Sequence, residues 1–292
     1  MSAIVEGRVV IVTGAAQGLG RCHALELARQ GAHVVANDMD EAIHDVVREI
    51  ATQGPSAIAC IGDVSDWNFA KHLIETSVAT FGALHGLVNN AGLVRDRMLV
   101  NMDEGEWDLV VRVDLKGHFC PTRHAAAYWR DQHKQGQSVD ARIVNTTSGA
   151  GLQGSVGQSN YAAAKAGVAN MTLVAAVEFA RYGITVNAIA PAARTSMTSS
   201  VFANAMAKPD QGFDAMDPAN VSPLVAWLCS AESAGVTGRV FEVSGGSVSV
   251  AEGWRPGAPV DRGGRWEPHE LGPVIHELLA GSPSPAPVYG AP

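Results

Sequence analysis

The chain has few charged side chains and no cluster of basic ones. Charged residues make up 17 % of its 292 residues, and the formal net charge at pH 7 is -8. A nucleic-acid surface needs clustered Lys and Arg to displace phosphate counterions, so no nucleic-acid partner is predicted. Apolar residues make up 47 % of the chain, which is enough to bury a large core, and extended disorder is not predicted.

Cysteine is also scarce, and long apolar runs are missing. No two cysteines form a CxxC pair and none has a histidine at metal-ligand spacing; the four are Cys22, Cys60, Cys120 and Cys229. This pattern predicts reduced thiols in a cytoplasmic protein and no metal site. The N-terminal segment has neither a basic stretch nor a long apolar one, so no signal peptide and no membrane span are predicted.

Short apolar runs alternate with longer segments of helical period along most of the chain. Seven runs are predicted as strands: Arg8–Val12, His33–Asn37, Ser56–Cys60, Leu84–Asn89, Ala141–Asn145, Ile184–Ile189 and Arg239–Val243. Strands this apolar, separated by helices, indicate a parallel sheet covered on both faces. The predicted fold class is therefore α/β, a Rossmann-like doubly wound sheet of seven parallel strands.

No linker or change of composition divides the alternating part. We therefore predict one dinucleotide-binding catalytic domain over residues 1–246, followed by a Gly/Pro-rich C-terminal extension over residues 247–292. Apolar residues at helical spacing predict a short helix near 268–280 within this extension. The last segment, Gly281–Pro292, is predicted to be loose.

A glycine-rich turn stands between the first predicted strand and the first predicted helix, where Thr13–Gly20 reads TGAAQGLG. Glycines at such a turn let the backbone approach a pyrophosphate. The charge of the pyrophosphate then meets free N–H groups and the positive end of the helix dipole. A dinucleotide site is predicted at Gly14, Gln17, Gly18, Leu19 and Gly20.

The second strand is followed by Asp38, eighteen positions after Gly20. An acidic residue at this place accepts hydrogen bonds from the adenosine ribose hydroxyls. Its carboxylate would repel a 2′-phosphate, so NAD is predicted rather than NADP. The alternative is that Asp38 only caps a turn or a helix.

The turns after the third and fourth strands are predicted to line the same cofactor, because the carboxyl ends of adjacent parallel strands share one crevice. Asp63 suits the adenine amino group, with Val64 beside it. Asn90, Ala91 and Gly92 are predicted to pass under the ribose and the nicotinamide.

Four ordered motifs resemble the short-chain dehydrogenase/reductase family. They are Thr13–Gly20 as TGxxxGxG, Asn89–Gly92 as NNAG, Ser148, and Tyr161–Lys165 as YxxxK. Ser148 stands thirteen residues before Tyr161, which is the family's usual interval. The resemblance covers roughly residues 4–246 and implies an oxidoreductase that interconverts a secondary alcohol and a ketone by hydride transfer.

The chemistry of the YxxxK pair agrees with this resemblance. Tyr161 and Lys165 stand four residues apart on a predicted helix, so their side chains lie on one face. Lowering a phenol pKa from about 10 to about 7 takes ~4 kcal/mol, and a nearby ammonium and a helix N-terminus both favour the phenolate. Tyr161 is predicted as the general acid/base. Lys165 would also bind the nicotinamide ribose, and Ser148 would hydrogen-bond the substrate oxygen.

Two positions depart from the family's usual pattern. Asp114 stands where the family commonly has an asparagine that connects the lysine to solvent through a water. An ionised Asp114 would attract the Lys165 ammonium and weaken its pull on the Tyr161 proton, so we expect a working relay with a shifted pH optimum. Pro191-Ala192 stands where many members have Pro-Gly. Pro191 and Thr195 are predicted to contact the nicotinamide end of the cofactor.

Several segments are similar to one branch of the family, the (3R)-hydroxyacyl-CoA dehydrogenase domain of peroxisomal multifunctional enzymes, also described as type-4 hydroxysteroid dehydrogenases. Examples are Arg95–Met98, Gly157–Tyr161 and Gly264–Glu267. This resemblance implies an acyl-CoA or a steroid alcohol as the substrate. The alternatives are a 3-oxoacyl-carrier-protein reductase, which would prefer NADPH, and a non-catalytic dinucleotide sensor.

The family resemblance also implies a homodimer or homotetramer, in which the segments Glu106–Arg130 and Asn160–Tyr182 pair as helices across a two-fold axis. The loop Ala192–Asn220 carries side chains that suit an adaptable apolar lid over a substrate, or that pack in the ordinary way. They are Met197, Val201, Phe202, Met206, Phe213 and Met216.

Overall fold

The structure is a computed structural model and describes residues 3–52, 54, 56–195, 207–284 and 286–291. Within these ranges one sheet has the strands β1 Val9–Thr13, β2 His33–Asp38, β3 Ala57–Ile61, β4 Gly86–Asn89, β5 Ala141–Thr146, β6 Ile184–Ala192, β7 Val240–Ser244 and β8 Ser247–Val250. Their order is β3-β2-β1-β4-β5-β6-β7-β8, and all neighbours are parallel except β7 and β8.

Helices cover both faces of this sheet. The α-helices are α1 Gly18–Arg29, α2 Ile43–Ala51, α3 Trp67–Phe81, α4 Glu104–Val110, α5 Gly117–Lys134, α6 Gly149–Gln153, α7 Ser159–Phe179, α8 Ser222–Leu228 and α9 Leu271–Ala280. Buried side chains of α1, α2 and α8 form the core on one face. Those of α3, α5 and α7 form the core on the other face.

The composition of β1 shows why four of its five residues are apolar. All five residues are buried; Val10 and Val12 belong to one core, whereas Ile11 belongs to the other. Successive strand residues point to opposite faces, so a strand with a helix layer on each side needs apolar residues on both faces. The predicted doubly wound α/β architecture is confirmed.

The strand order places a crevice between β1 and β4. From β1 the chain crosses to β2 on one side, and it later returns to place β4 on the other side. The loops after β1 and β4 therefore diverge, and in an open parallel sheet a ligand binds at this switch point, beyond the carboxyl ends of the strands.

The sheet has eight strands where the sequence predicted seven. The additional strand, β8, runs antiparallel to β7 across the two-residue turn Gly245-Gly246, and Gly245 has φ +54°. All four β8 residues are exposed and alternate serine with valine, so the strand lacks the buried apolar run that identified the others. Gly245 allows the tight reversal because glycine adopts a positive φ without steric cost.

The single helix predicted over Glu106–Arg130 consists of three parts. α4 begins after Asp103, which forms a capping box with Glu106, and a π-helical turn over Val111–Lys116 joins α4 to α5. Periodicity in sequence does not distinguish a local π turn from a continuous α-helix, because one wider turn changes the spacing by a single residue.

The extension contains a helix where the spacing predicted one. A 3-10 turn over Pro268–Glu270 leads into α9, whose apolar side chains Leu271, Ile275 and Leu279 are 37 %, 47 % and 65 % exposed.

Among the described residues, one helix is long and apolar enough, by length and composition alone, to cross a membrane. It is Ser159–Tyr182, and its most apolar stretch is 39 % buried inside the protein. The buried face of this helix carries Asn160, Lys165 and Thr172 along the sheet, as a core helix of a folded domain does. The predicted cytoplasmic location stays a prediction.

Candidate active site

The turn after β1 packs tightly against the turn after β4. Thr13 Oγ1 accepts hydrogen bonds from the backbone N–H of Asn90, at 2.9 Å, and of Ala91, at 3.1 Å. The Asn90 side-chain amide donates to the carbonyl oxygens of Thr13 and Gly14 at 3.1 and 3.2 Å. Gly14 has φ +64°, and a Cβ there would lie 2.8 Å from Ala91 Cα. The two predicted cofactor segments therefore form one continuous wall.

The N-terminus of α1 suits an anionic group. Gln17 precedes the first residue of α1. Within the described residues, its side chain makes no capping hydrogen bond to the start of this helix. Gly18 has φ +56°, and the nearest contact of a Cβ there would be Thr195 Cγ2 at 3.8 Å. This open space above unpaired backbone N–H groups fits a pyrophosphate. Gly20 has a packing role, because a Cβ there would lie 2.1 Å from the Gly14 carbonyl oxygen.

The Asp38 carboxylate is held beside the glycine turn by three backbone N–H groups. Oδ2 accepts from Ala16 at 2.9 Å, and Oδ1 accepts from Met39 at 2.8 Å and Asp40 at 3.1 Å. The turn-capping role that the sequence left open is thus present. Asp38 also lines the cavity at the carboxyl end of the sheet, so capping and ribose binding are compatible.

The Asp63 carboxylate accepts three hydrogen bonds from protein groups, which its sequence position did not indicate. Oδ1 accepts from Ser65 N at 2.8 Å and Ser65 Oγ at 2.6 Å, and Oδ2 accepts from Arg112 Nη1 at 2.6 Å. Burial raises the pKa of Asp63, but the hydrogen bonds from Ser65 and Arg112 outweigh this effect and lower the pKa. Asp63 is therefore a fixed negative charge next to Val64, and the sequence did not identify Arg112 as its partner.

The residues predicted to transfer the proton converge at the other end of the cavity. Lys165 Nζ donates to the Thr146 carbonyl oxygen at 3.0 Å and lies 5.6 Å from the centre of the Tyr161 ring. Ser148 follows β5 and caps α6, where its Oγ accepts from Ala150 N at 3.2 Å. Tyr161 and Lys165 lie near the start of α7, so β5 and α7 together bring Ser148 to the pair.

The protein groups around Tyr161 favour its protonated form. Burial raises the pKa of the Tyr161 hydroxyl, the Asp114 carboxylate raises it further, and a hydrogen bond with Ser148 opposes both effects. A base that works near neutral pH needs additional positive charge at this place.

The ion pair expected between Asp114 and Lys165 is present. Asp114 is fully buried in the π-helical turn; Oδ1 accepts from Leu93 N at 2.8 Å, and Oδ2 lies 3.4 Å from Lys165 Nζ. Burial raises the pKa of Asp114, and the Lys165 charge opposes this rise. Burial lowers the pKa of Lys165, and the Asp114 charge opposes that fall.

A buried histidine next to this pair was not predicted. His118 on α5 is fully buried; backbone groups of Thr146, Asn89 and Asp114 lie near its ring, but within the described residues neither ring nitrogen makes a hydrogen bond of ordinary geometry. Burial lowers the pKa of His118 well below its usual range, and the Lys165 charge lowers it further, so the ring is neutral. Its spacing of four residues from Asp114 was the available sequence signal.

The segment predicted to contact the nicotinamide spans the end of β6 and the residues after it. Pro191 lies within β6, one residue before its end at Ala192, and lines the cavity, whereas Thr195 lies beyond the strand and opposite Gly18. Of the predicted lid residues, Met197, Val201, Phe202 and Met206 lie outside the described residues. Met216 lines the cavity, whereas Phe213 is 66 % exposed.

These parts enclose a cavity of about 940 Å³. Every site residue predicted from the sequence lines it except Gly20, which packs behind the wall. Tyr289 also lines the cavity, although Gly281–Pro292 was predicted to be loose. That prediction is wrong at Tyr289, because backbone hydrogen bonds attach it to the loop before α7, and such bonds leave no signal in the sequence.

Comparison with known proteins agrees with this arrangement. A family model described as short chain dehydrogenase matches residues 8–205. The hydroxyacyl-CoA dehydrogenase ChsB1 of Mycobacterium tuberculosis is 47 % identical over 286 residues, covering 95 % of this chain and 90 % of the relative. The peroxisomal multifunctional enzyme type 2 of Mus musculus is 39 % identical over 82 % of this chain and 32 % of the relative.

Two further proteins align over nearly their full length. The 3-oxoacyl-[acyl-carrier-protein] reductase FabG of Thermotoga maritima is 36 % identical, covering 84 % of this chain and 99 % of the relative. The crystal structure of a short chain dehydrogenase from Mycobacterium avium has a TM-score of 0.91 and 56 % identity, covering 99 % of this chain and 100 % of that chain. The sheet order, the glycine turn, the Ser148–Tyr161–Lys165 cluster and these matches agree: the chain belongs to the short-chain dehydrogenase family.

Proposed function

We propose that the protein is an NAD-dependent dehydrogenase that interconverts a secondary alcohol and a ketone on a 3-hydroxyacyl-CoA or a steroid alcohol. One observation carries the proposal: Ser148, Tyr161 and Lys165 meet in the cavity that begins at the N-terminus of α1. The substrate class rests on the likeness to the hydroxyacyl-CoA dehydrogenase of Mycobacterium tuberculosis.

Tyr161 is the proposed proton carrier. During alcohol oxidation its phenolate takes the proton of the substrate hydroxyl while the carbon-bound hydrogen leaves as hydride, so the alcohol loses two electrons. When bound, NAD supplies the hydride acceptor and a positive charge. Ser148 holds the substrate oxygen, and its hydrogen bond to Tyr161 lowers the pKa of the phenol.

Lys165 is the proposed source of positive charge within the chain. The Thr146 carbonyl oxygen and the Asp114 carboxylate fix its ammonium at 3.0 and 3.4 Å. A buried ammonium next to the Tyr161 ring stabilises the phenolate relative to the phenol. Lys165 lines the cavity, so it is also placed to hydrogen-bond a ribose.

The preference for NAD over NADP rests on Asp38. Its carboxylate lies next to the glycine turn, where a 2′-phosphate would bring a second negative charge. The basic residues that line the described part of the cavity are Arg95 and Lys165. Both lie at the end of the cavity next to α7. Lys165 is part of this helix, and the Arg95 carbonyl oxygen accepts a hydrogen bond from Asn160 on α7 at 3.1 Å.

Arg95 supports an anionic substrate. Its side chain is exposed at the cavity edge, and its guanidinium donates to the Val94 carbonyl oxygen at 2.8 Å. A guanidinium at this place is suited to the phosphates of a CoA ester.

The test is a turnover assay of the purified protein with NAD and NADP against 3-hydroxyacyl-CoA esters and steroid alcohols. We expect kcat/KM with NAD to exceed that with NADP about a hundredfold, a difference of ~2.7 kcal/mol. Tyr161→Phe should lower kcat about a hundredfold or more, because it removes the acid/base group.

Tyr182→Phe is the matched control, because the Tyr182 hydroxyl contacts Arg181 at the far end of the helix and should leave kcat unchanged. Asp38→Ser should reduce the preference for NAD over NADP. Tight NAD binding without turnover would indicate a sensor. Reduction of 3-oxoacyl-carrier protein with NADPH as the main activity would indicate the reductase alternative.

A further inference from the structure

The C-terminal tail returns to the catalytic end of the sheet after α9. Tyr289 forms an isolated parallel β-bridge with Ser155. Tyr289 N donates to the Gly154 carbonyl oxygen at 3.2 Å, and Val156 N donates to the Tyr289 carbonyl oxygen at 2.9 Å. The tail is thus held by main-chain hydrogen bonds on both sides of one residue.

This bridge attaches the tail to the loop that connects two catalytic segments. Gly154–Gln158 lies between α6, which Ser148 caps, and α7, which carries Tyr161. Glycine at position 154 leaves room for the tail, since a Cβ there would lie 3.4 Å from Val288 Cγ1. The position of Tyr289 is therefore coupled to the loop that precedes the catalytic tyrosine.

The Tyr289 side chain reaches the residue next to Ser148. A Cβ at Gly149 would lie 2.9 Å from the Tyr289 hydroxyl oxygen and 3.0 Å from Cε2, so the ring fits there only because position 149 is glycine. The ring lines the cavity together with Ser148, Ser155 and Tyr161, and it is 43 % exposed.

We propose that Tyr289 is a specificity-determining residue and that the C-terminal tail forms one wall of the substrate pocket in its own subunit. The exposed face of the ring is an apolar surface at the substrate end of the cavity, where it packs on the acyl chain or ring system beyond the reacting carbon. This inference rests on the proposed function. Tyr289 is not a catalytic residue, because Tyr161 and Ser148 hold the reacting oxygen.

The test compares three variants on 3-hydroxyacyl-CoA esters of short and long acyl chains and on a ring-bearing ester. Tyr289→Ala and a chain that ends at Gly281 should lower kcat/KM for the long-chain and ring-bearing esters about tenfold, through KM. The short-chain ester should change by less than about twofold, because it does not reach the ring. Tyr289→Phe should behave as the parent protein, because it keeps the ring.

Two controls separate this role from a general loss of structure. Trp254→Ala removes a larger aromatic ring from the same extension, where Trp254 is fully exposed, and should leave the turnover of all esters unaffected. The Kd of NADH should be the same in every variant. Hydrogen exchange at the Val156 amide should accelerate in the truncated chain, since its acceptor is the Tyr289 carbonyl oxygen.

The outcomes distinguish this inference from the proposed function. Suppose that the parent protein turns over the esters and that Tyr289→Ala and the truncated chain keep the parent's dependence on acyl-chain length. This result would overturn the role of the tail but leave the proposed function intact. A parent protein that turns over none of the esters would overturn the proposed function and the substrate wall with it.

Discussion

Asp114 places a buried carboxylate among the residues predicted to transfer the proton. It is fully buried, it lies 3.4 Å from Lys165 Nζ, and its charge raises the pKa of the Tyr161 hydroxyl. An uncharged residue at position 114 would leave the Lys165 ammonium free to act on the phenol. We therefore expect the carboxylate to shift the pH range in which Tyr161 accepts a proton to higher values.

The substitution Asp114→Asn tests this effect. The amide keeps an oxygen that can accept from Leu93 N but carries no charge, so the pKa of Tyr161 should fall. We expect the acidic limb of the pH profile of kcat/KM for alcohol oxidation to move down by about one pH unit, a change of ~1.4 kcal/mol. The measurement is the initial rate at low substrate concentration across the pH range.

Asp108→Asn is a matched control, because Asp108 is exposed on α4 and loses the same charge. Its profile should coincide with that of the parent protein. Superimposable profiles for the parent protein and Asp114→Asn would show that the carboxylate has no influence on the proton transfer.

The sequence identified the residues whose chemistry depends on local spacing. Tyr161 and Lys165 lie one helical turn apart, so their neighbourhood in space follows from four positions in the chain. His118 was missed because a single histidine on a helix is most often a core residue, and only the fold shows that it faces Lys165. Tyr289 was missed because no pattern in a Gly/Pro-rich tail predicts a β-bridge to residue 155.

At the scale of elements, a buried histidine joins α1 to α8. His23 is fully buried, and its Nδ1 lies 2.9 Å from Ser222 Oγ at the start of α8. Burial lowers the pKa of His23 to about 3. The imidazole is therefore neutral in the folded protein at neutral pH, whereas the unfolded chain binds a proton below a pH of about 6.5.

This difference predicts a loss of stability in mild acid. Because the folded pKa is below the unfolded one, the contribution is fully present above pH ~6.5 and decreases as the pH falls. Between pH ~7 and ~5 the free energy of unfolding should fall by about 2 kcal/mol through this residue. Urea unfolding at fixed protein concentration, repeated across this range, measures the effect.

In His23→Gln the free energy of unfolding should be lower at pH ~7 but should fall less steeply toward pH ~5, since the side chain does not titrate. His269→Gln makes the same change at an exposed position of the tail and should keep the parent's pH dependence. An equally steep fall in His23→Gln and the parent protein would contradict the assignment.

Strands were predictable from the sequence where burial on both faces of the sheet restricts them to mostly apolar residues. Strands covered on both faces are largely apolar, and this identified β1 to β7 to within three residues at either end, with the largest difference at the end of β6. β8 was not predicted, because all of its residues are exposed and it has no buried apolar run. The π-helical turn at Asp114 was not predicted, because Asp114 contacts Leu93 and Lys165, which are distant in sequence.

On the scale of the whole molecule, α5 and α7 leave an apolar surface uncovered. Phe119 is 44 % exposed, Val174 is 50 % exposed and Val177 is 81 % exposed, and a groove between the two helices runs past all three. We propose that this surface is where two copies of the chain meet across a two-fold axis, as the family resemblance implies. An apolar patch of this kind is commonly a protein contact.

Val177→Asp should weaken this contact, because it places a charge in an interface that loses water on association. We expect the sedimentation mass to fall by about half at micromolar concentration, while the helix content stays the same. Ala42→Asp adds the same charge at an exposed position before α2, on the opposite face of the sheet, and should not change the mass. An unchanged mass in Val177→Asp would place the contact elsewhere.

The sequence by itself determined the α/β class, the cofactor turn and the Tyr161–Lys165 pair, because each depends on residues that are close in the chain. The tertiary structure decided what surrounds them. It brought Asp114 and His118 to Lys165, Arg112 to Asp63, and Tyr289 to the turn after Ser148. These contacts join segments that are distant in sequence, and strand order and packing, rather than local periodicity, set their distances.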